Sequence, residues 1–325
     1  QKILTHGFTV DEKGEKMSKH KGNVVAPNDI AKTHGVEILR LWVGTSEYTT
    51  DLKISDNILK QIGEQYRKIR NTFRFLLANV NDLDTLLPYD QMQTIDQWIL
   101  VHAKGVFDEV EGYFKEYEFS KGFALLNHFI AVELSGIYLD ISKDRLYCNS
   151  KNDPLRLSSQ SAMALIAQKL MALMAPTLTY TIDEMMEYAP DVIKQGANDV
   201  FDLLYTPLQA GNVDFDEAYM MGAREKFFEI VDGLKKEKVI KSTLEFVLQT
   251  TSSRIAALPK SDAEDWFTVS KVITHEESSE LGTFSIEGDT FKILKAAKCK
   301  CPRCWKYRAK SEEVLCHRCS EALHG

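Results

Sequence analysis

The chain has 325 residues, 44% of them hydrophobic and 27% charged, and a formal net charge of -7. That length exceeds what one compact core absorbs and suits two to four units. The acidic balance excludes a protein that binds nucleic acid with its whole surface, yet salt screens charge over ~8 to 10 Å, so a local basic patch is compatible with it. Charge is indeed uneven. Residues 181 to 220 hold nine acidic side chains and one basic, whereas 292 to 310 hold eight Lys or Arg and no acid. An anionic partner belongs at that tail. No apolar run approaches the ~20 residues that cross a bilayer, so no membrane partner is expected. The chain opens Gln-Lys-Ile-Leu without an initiator Met, which reads as part of a longer protein.

In chain order, ILTHGFTV at 3 to 10 predicts a short strand that ends at the turn DEKG. The loop GEKMSKHKGN follows at 14 to 23. Its lysines, Lys16, Lys19 and Lys21, repel one another and stay together most easily around an anion. Lys16 and Lys19 suit a polyphosphate, where positive charge offsets the negative charge that develops on a leaving group; a solvated turn is the plain reading of the same residues. Pro27 opens a short helix closed by Gly35, and a second short helix covers 36 to 43. Ser55 is positioned as the N-cap of a long helix whose stripe is Ile58, Ile62, Tyr66, Ile69, Phe73, Leu76, Leu77 and Val80. Arg70 and Arg74 lie off that stripe, as solvated charges do. Further long helices are expected over 92 to 117, 120 to 147 and 155 to 174, and a shorter one after Pro176. Long amphipathic helices with short links make an antiparallel bundle. Its core would take Trp98, Phe107, Phe114, Phe123, Phe129, Ile137, Leu165 and Leu173. After an acidic link comes a helix at 219 to 238. Runs at 243 to 249, 266 to 274, 282 to 287 and 290 to 295 then predict a small antiparallel sheet.

Five of the six cysteines crowd into the last 27 residues. Cys301, Cys304, Cys316 and Cys319 form two Cys-x-x-Cys knuckles, which present four thiolates at tetrahedral spacing and suit one structural Zn2+ per chain. Redox pairs are the competing reading; Cys299 is a bystander and His317 a surface residue. Arg303, Trp305, Lys306 and Arg308 surround the knuckles. Aromatics among cations suit single-stranded RNA, where bases stack and phosphates pair; burial of Trp305 against the metal core is the alternative.

HGFTVDEKGEKMSKHKGNVVAP resembles the "KMSKS" region of class I aminoacyl-tRNA synthetases, and the stretch from ILRLWVGTSEYTT onward is similar to their isoleucyl branch. LSGIYLDISKDRLYC and LMAPTLTYTIDEMMEY resemble the anticodon-binding bundle of that branch, and KCPRCWKY its zinc module. The resemblance implies a mainly α chain: an antiparallel helical bundle with a small α+β region and a C-terminal zinc ribbon. The expected boundaries are 1-52 for the end of the catalytic domain, 53-205 for the anticodon-binding bundle, 206-295 for an α+β junction and 296-325 for the zinc module. It also implies that Lys16, Met17, Ser18 and Lys19 meet ATP, supplied with Mg2+, and that Lys16 and Lys19 act in adenylation. His20 stands where the signature has Ser. Isoleucine tRNA would lie against Arg70, Arg74, Lys143 and Arg145 and against Arg303, Trp305, Lys306 and Arg308. The family's other ATP signature and its editing domain are absent from the sequence. A cytoplasmic, monomeric enzyme is expected, of which this part alone is inactive. A valyl or leucyl synthetase and a non-catalytic zinc-ribbon protein that binds nucleic acid are the alternatives.

Overall fold

The computed structural model describes residues 2-275 and 280-324, which cluster into two units. Of the described residues, the first comprises 2-86, 100-136 and 161-210; the second comprises 87-99, 137-160, 211-275 and 280-324.

The first unit opens with a two-residue strand, β1 (Thr9–Val10), paired in parallel with β2 (Leu52–Lys53). The strand expected over 3 to 10 therefore shrinks to its last two residues. Between the pair lie α1 (Pro27–Thr33) and α2 (Val36–Thr45). Pro at N1 pre-sets the first turn of α1. Helix α3 (Asp56–Val80) starts where Ser55 Oγ accepts the Ile58 amide at 3.3 Å, as the capping logic requires. Of its expected stripe, Ile69, Phe73, Leu76, Leu77 and Val80 are buried, while Ile58, Ile62 and Tyr66 are half-buried against the cluster Ile30, Ile38, Trp42, Ile54 and Leu59.

Helices α4 (Thr94–Lys115), α5 (Phe119–His128) and α6 (Leu139–Cys148) follow, with a π-helical stretch, Phe129–Tyr138, joining the last two. The expected helix over 120 to 147 is thus right in extent but wound more widely in its middle. Among the described residues, Phe119–Cys148 is the one helical run long and apolar enough to span a membrane, so the expectation that no apolar run approaches that length is corrected. Half of its most apolar stretch is buried inside the protein, as for a core helix. Helix α7 (Pro154–Met174) and α8 (Thr179–Tyr188) complete the bundle. The buried Glu37 of α2 accepts the Thr181 amide of α8 at 3.1 Å, and Tyr66 Oη lies 2.8 Å from Thr181 Oγ1. A short helix, α9 (Asp191–Lys194), follows.

The second unit is built on α10 (Glu217–Lys236) and a four-stranded sheet. Its strands are β3 (Phe246–Thr250), β4 (Lys271–Ile273), β5 (Glu280–Ile286) and β6 (Asp289–Lys295), in the order β4-β3-β6-β5. The sheet is mixed rather than antiparallel, because β3 and β4 run parallel. Two helices make that crossover, α11 (Ser253–Ala257) and α12 (Lys260–Trp266). The run expected as strand from 266 is therefore helix at its start. The fully buried Trp266 donates its indole N–H to the Met220 carbonyl at 3.0 Å and meets the rings of Trp98 and Phe215, while Phe227, Phe246, Phe267 and Phe291 pack against one another. The chain ends in a hairpin, β7 (Cys299–Lys300) with β8 (Tyr307–Ala309), and α13 (His317–His324).

Candidate nucleotide loop and nucleic-acid interface

The lysine loop is an ordered excursion from β1. Val10 bridges to Lys16, and the Asp11 carboxylate accepts the amides of Lys13 at 3.0 Å and Glu15 at 2.8 Å. Asn23 closes the loop from its far end. Its Oδ1 accepts the Ser18 amide at 2.9 Å and its Nδ2 donates to Asp11 Oδ2 at 2.8 Å. The Asn23 hydrogen bond, followed by the Glu15 amide, holds the Asp11 carboxyl below its ordinary range. Ser18 caps a single turn, Lys19 to Lys21, which Gly22 terminates at a φ of 67°. That left-handed position costs a glycine nothing. Met17 packs into the Ile30–Trp42 cluster. Two of the four expected ATP contacts, Met17 and Ser18, thus anchor and cap the loop.

The lysines are sorted by the same geometry. Lys16 lies over the Phe8 ring at 5.3 Å, and Lys21 pairs with Glu15 at 3.0 Å. Lys19 is exposed and has no ion pair or hydrogen-bond partner for its ammonium among the described residues. Among the described residues, Lys19 is thus left without a partner, and Lys16 has an aromatic ring but no counterion.

At the other end of the chain the four knuckle cysteines converge. Their sulfurs all lie within 4.8 Å of one another, and all four residues are buried. Cys304 Sγ and Cys316 Sγ are 3.7 Å apart. A tetrahedron of Zn–S bonds of ~2.3 Å places its sulfurs ~3.8 Å apart, so the set fits zinc. Burial raises the Cys301 thiol, but amide N–H groups led by Cys316 outweigh it and bring it down to about 6. Cys299 stands outside the set, and His317 is exposed beside Glu321, both as expected.

Behind the knuckles lies a buried network of charge. Arg145, 2% exposed, meets Asp262 at 2.7 Å, Asp265 at 2.8 Å and Asp96 at 3.3 Å. Lys306, 3% exposed, pairs with Asp265 at 2.9 Å and Asp144 at 3.0 Å. Arg318 grips both oxygens of Asp144, at 2.5 and 2.7 Å. Burial alone would raise the Asp144 carboxyl, but Arg318 and Lys306 together hold it below its ordinary range. Burial also lifts Asp262 above that range, against the pull of Arg145.

The cations expected to meet RNA therefore divide. Arg145 and Lys306 are interior, each surrounded by carboxylates, and the expectation that they face RNA is corrected. Arg308 is held by Glu264 and by the Ser270 carbonyl at 2.7 Å. Arg303 donates to the Cys148 carbonyl at 2.6 Å. Trp305 stands out, 61% exposed, at a φ of 64°, with Lys300 over its ring at 5.3 Å. The alternative of a tryptophan packed against the metal core does not hold. In the first unit, Arg70 and Arg74 line an open cavity of about 580 Å³ with Leu77, Met185 and Tyr188; Arg70 is 3.2 Å from Glu184, whereas Arg74 is exposed. Lys143 is exposed and pairs with Asp140 at 2.8 Å.

The sequence reading missed Asp96, Asp144, Asp262 and Asp265 as the carboxylates that claim these cations. Lys143 and Arg145 sit in a sequence that names only near neighbours, and the partners of Arg145 lie 49, 117 and 120 residues away.

Comparisons with known proteins accord with this geometry. Residues 1–55 match the family described as tRNA synthetases class I (I, L, M and V), and residues 96–252 match the anticodon-binding domain of tRNA ligase. The chain belongs to the class I aminoacyl-tRNA synthetases. Within that class its relatives are isoleucine--tRNA ligases. It is 61% identical to that of Nitratiruptor sp. over 323 residues, 58% to that of Sulfurimonas denitrificans over 322 and 57% to that of Campylobacter concisus over 323. Each alignment covers 99% of this chain and 35% of the relative, so the chain spans about a third of their length.

Proposed function

We propose that this chain is the part of an isoleucine--tRNA ligase that supplies the ATP-phosphate loop and binds the anticodon region of isoleucine tRNA. The observation that carries the reading is Lys19, an unpaired ammonium at the tip of a loop braced by Asp11, Ser18 and Asn23. A ligase of this kind uses ATP, supplied with Mg2+, to activate isoleucine, and then attaches it to tRNA. As pyrophosphate departs, negative charge grows on the phosphate oxygens. Lys19, carried on a loop braced before the reaction, offsets that charge. Lys16 contributes a second cation, which lies over the Phe8 ring. Zinc, one per chain, holds the terminal knuckles, and the closed set of four thiolates leaves no open position for hydrolytic chemistry.

For the RNA, the candidates left at the surface are Arg70, Arg74, Lys143 and Trp305, with Arg303 and Arg308 half-buried beside them. Arg145 and Lys306 hold the scaffold instead. We further propose a monomeric, cytoplasmic enzyme whose anticodon-binding segment runs from residue 53 to 205. The test is binding of the zinc-loaded chain to isoleucine tRNA across a salt titration. Affinity should fall linearly on a log–log plot and weaken again when anticodon bases are changed. Equal binding to unrelated tRNAs would remove the anticodon assignment.

A further inference from the structure

Among the described residues, two large aromatic side chains in the second unit stand out beside the knuckles, Trp305 at 61% exposure and Tyr147 at 57%. They are 158 residues apart in sequence (305 less 147), yet three contacts fasten their backbones together. Arg303, two residues before Trp305, donates to the carbonyls of Cys148 at 2.6 Å and Tyr147 at 3.4 Å. Lys306, the residue after it, reaches Asp144 at 3.0 Å, on the helix that carries Tyr147. Arg318 locks the same Asp144 from α13. The knuckle that displays Trp305 is thus clamped from both sides onto the C-terminal end of α6.

Tyr147 has no packing reason to be there. Its ring is more than half in solvent, and its hydroxyl makes no hydrogen bond among the described residues. An aromatic with no internal role, one turn from the exposed Lys143 on a helix end to which the Trp305 knuckle is tied, offers a π-face and a nearby cation. Unpaired bases use that pair of features. We propose that Tyr147 is a second stacking residue for single-stranded RNA, working with Trp305 on one surface. This rests on the anticodon reading above and adds a residue to it. Asp144 is the positioning residue that ties the segment carrying Trp305 to the helix carrying Tyr147.

The test uses the zinc-loaded chain and an RNA hairpin that carries the isoleucine anticodon, with binding read by fluorescence anisotropy. Removing one stacked base contact costs ~1 to 3 kcal/mol, so Tyr147→Ala should weaken binding at least ~5-fold. Tyr147→Phe should bind as the unaltered chain does, because the ring is kept. The salt slope of Tyr147→Ala should stay unchanged, since no phosphate contact is lost. Trp305→Ala separates the two readings. If it weakens binding while Tyr147→Ala does not, the Tyr147 assignment falls and the anticodon reading stands. If the unaltered chain fails to bind the hairpin, both fall. A flattened salt slope in Tyr147→Ala, or a Phe variant as weak as the Ala variant, also overturns the stacking role. Should the Ala variant hold less zinc, Tyr147→Leu, which keeps apolar area without a ring, decides in its place by the same criteria.

Discussion

Lys19 owes its usefulness to what its neighbours have been given. Glu15 takes Lys21 and the Phe8 ring takes Lys16, while Lys19 is left without a counterion. On the function proposed above, Lys19→Ala in the longer protein should lower isoleucine-dependent pyrophosphate exchange ~10²- to 10³-fold, the loss seen when a single transition-state donor is removed. Zinc content and tRNA affinity should not change. Asn23 acts at one remove. It ties the Ser18 amide to the Asp11 carboxylate, so Asn23→Ala should loosen the loop and lower the exchange rate, but less than Lys19→Ala does. The two rates measured side by side check the ordering, and an Asn23→Ala enzyme of unaltered rate would show that the brace is dispensable.

At the scale of elements, the clamp between α6, the turn before β8 and α13 is a set of ion pairs that joins the buried Lys306 to the half-buried Asp144 and Arg318. Breaking such a pair from one side is costlier than never having it, because the surviving charge stays desolvated. Asp144→Asn should therefore destabilise the second unit by about 3 to 5 kcal/mol in urea unfolding. Replacing Asp144, Lys306 and Arg318 together with apolar residues of similar size should recover much of that loss. The pH dependence follows from the direction of the shift. A carboxyl held below its unfolded value of 3.8 contributes its full stability above that value and loses it only as pH falls through the lower folded one. An acid titration should accordingly find this clamp intact at pH 5, and a clamp that weakens between pH 7 and 5 would contradict the assignment. These elements also show what a sequence can disclose. Helix α3, its Ser55 cap and the cysteine spacing were legible because each is a local pattern, repeated within a few residues. The fate of Arg145 and Lys306 was not, because a lysine beside a zinc knuckle reads the same whether its carboxylate is buried next to it or absent. The start of the 266 to 274 run misled for a related reason. Trp266 and Phe267 carry strand-like bulk, and only their packing against Phe227 and Met220 shows that the chain there is finishing a helix.

For the molecule as a whole, the distribution of sulfur decides what metal loss does. All six cysteines fall within the second unit, and the first unit has none. Structural zinc contributes on the order of 10 kcal/mol or more to small thiolate sites, so chelation should unfold the region that depends on it. Circular dichroism should show most of the helical signal surviving a chelator, while RNA affinity falls. Elemental analysis should return one zinc per chain. A fully cooperative collapse of the helical signal would mean that the bundle leans on the metal as well.

The backbone at Trp305 carries a lasting consequence. A large side chain in the left-handed region gives up roughly 1 kcal/mol that glycine or asparagine would not. A lineage of this protein bred only for heat tolerance would drift toward Gly at 305, gaining melting temperature and shedding the RNA affinity proposed for it. Retention of the bulky ring under such breeding would mean that the indole serves the fold after all.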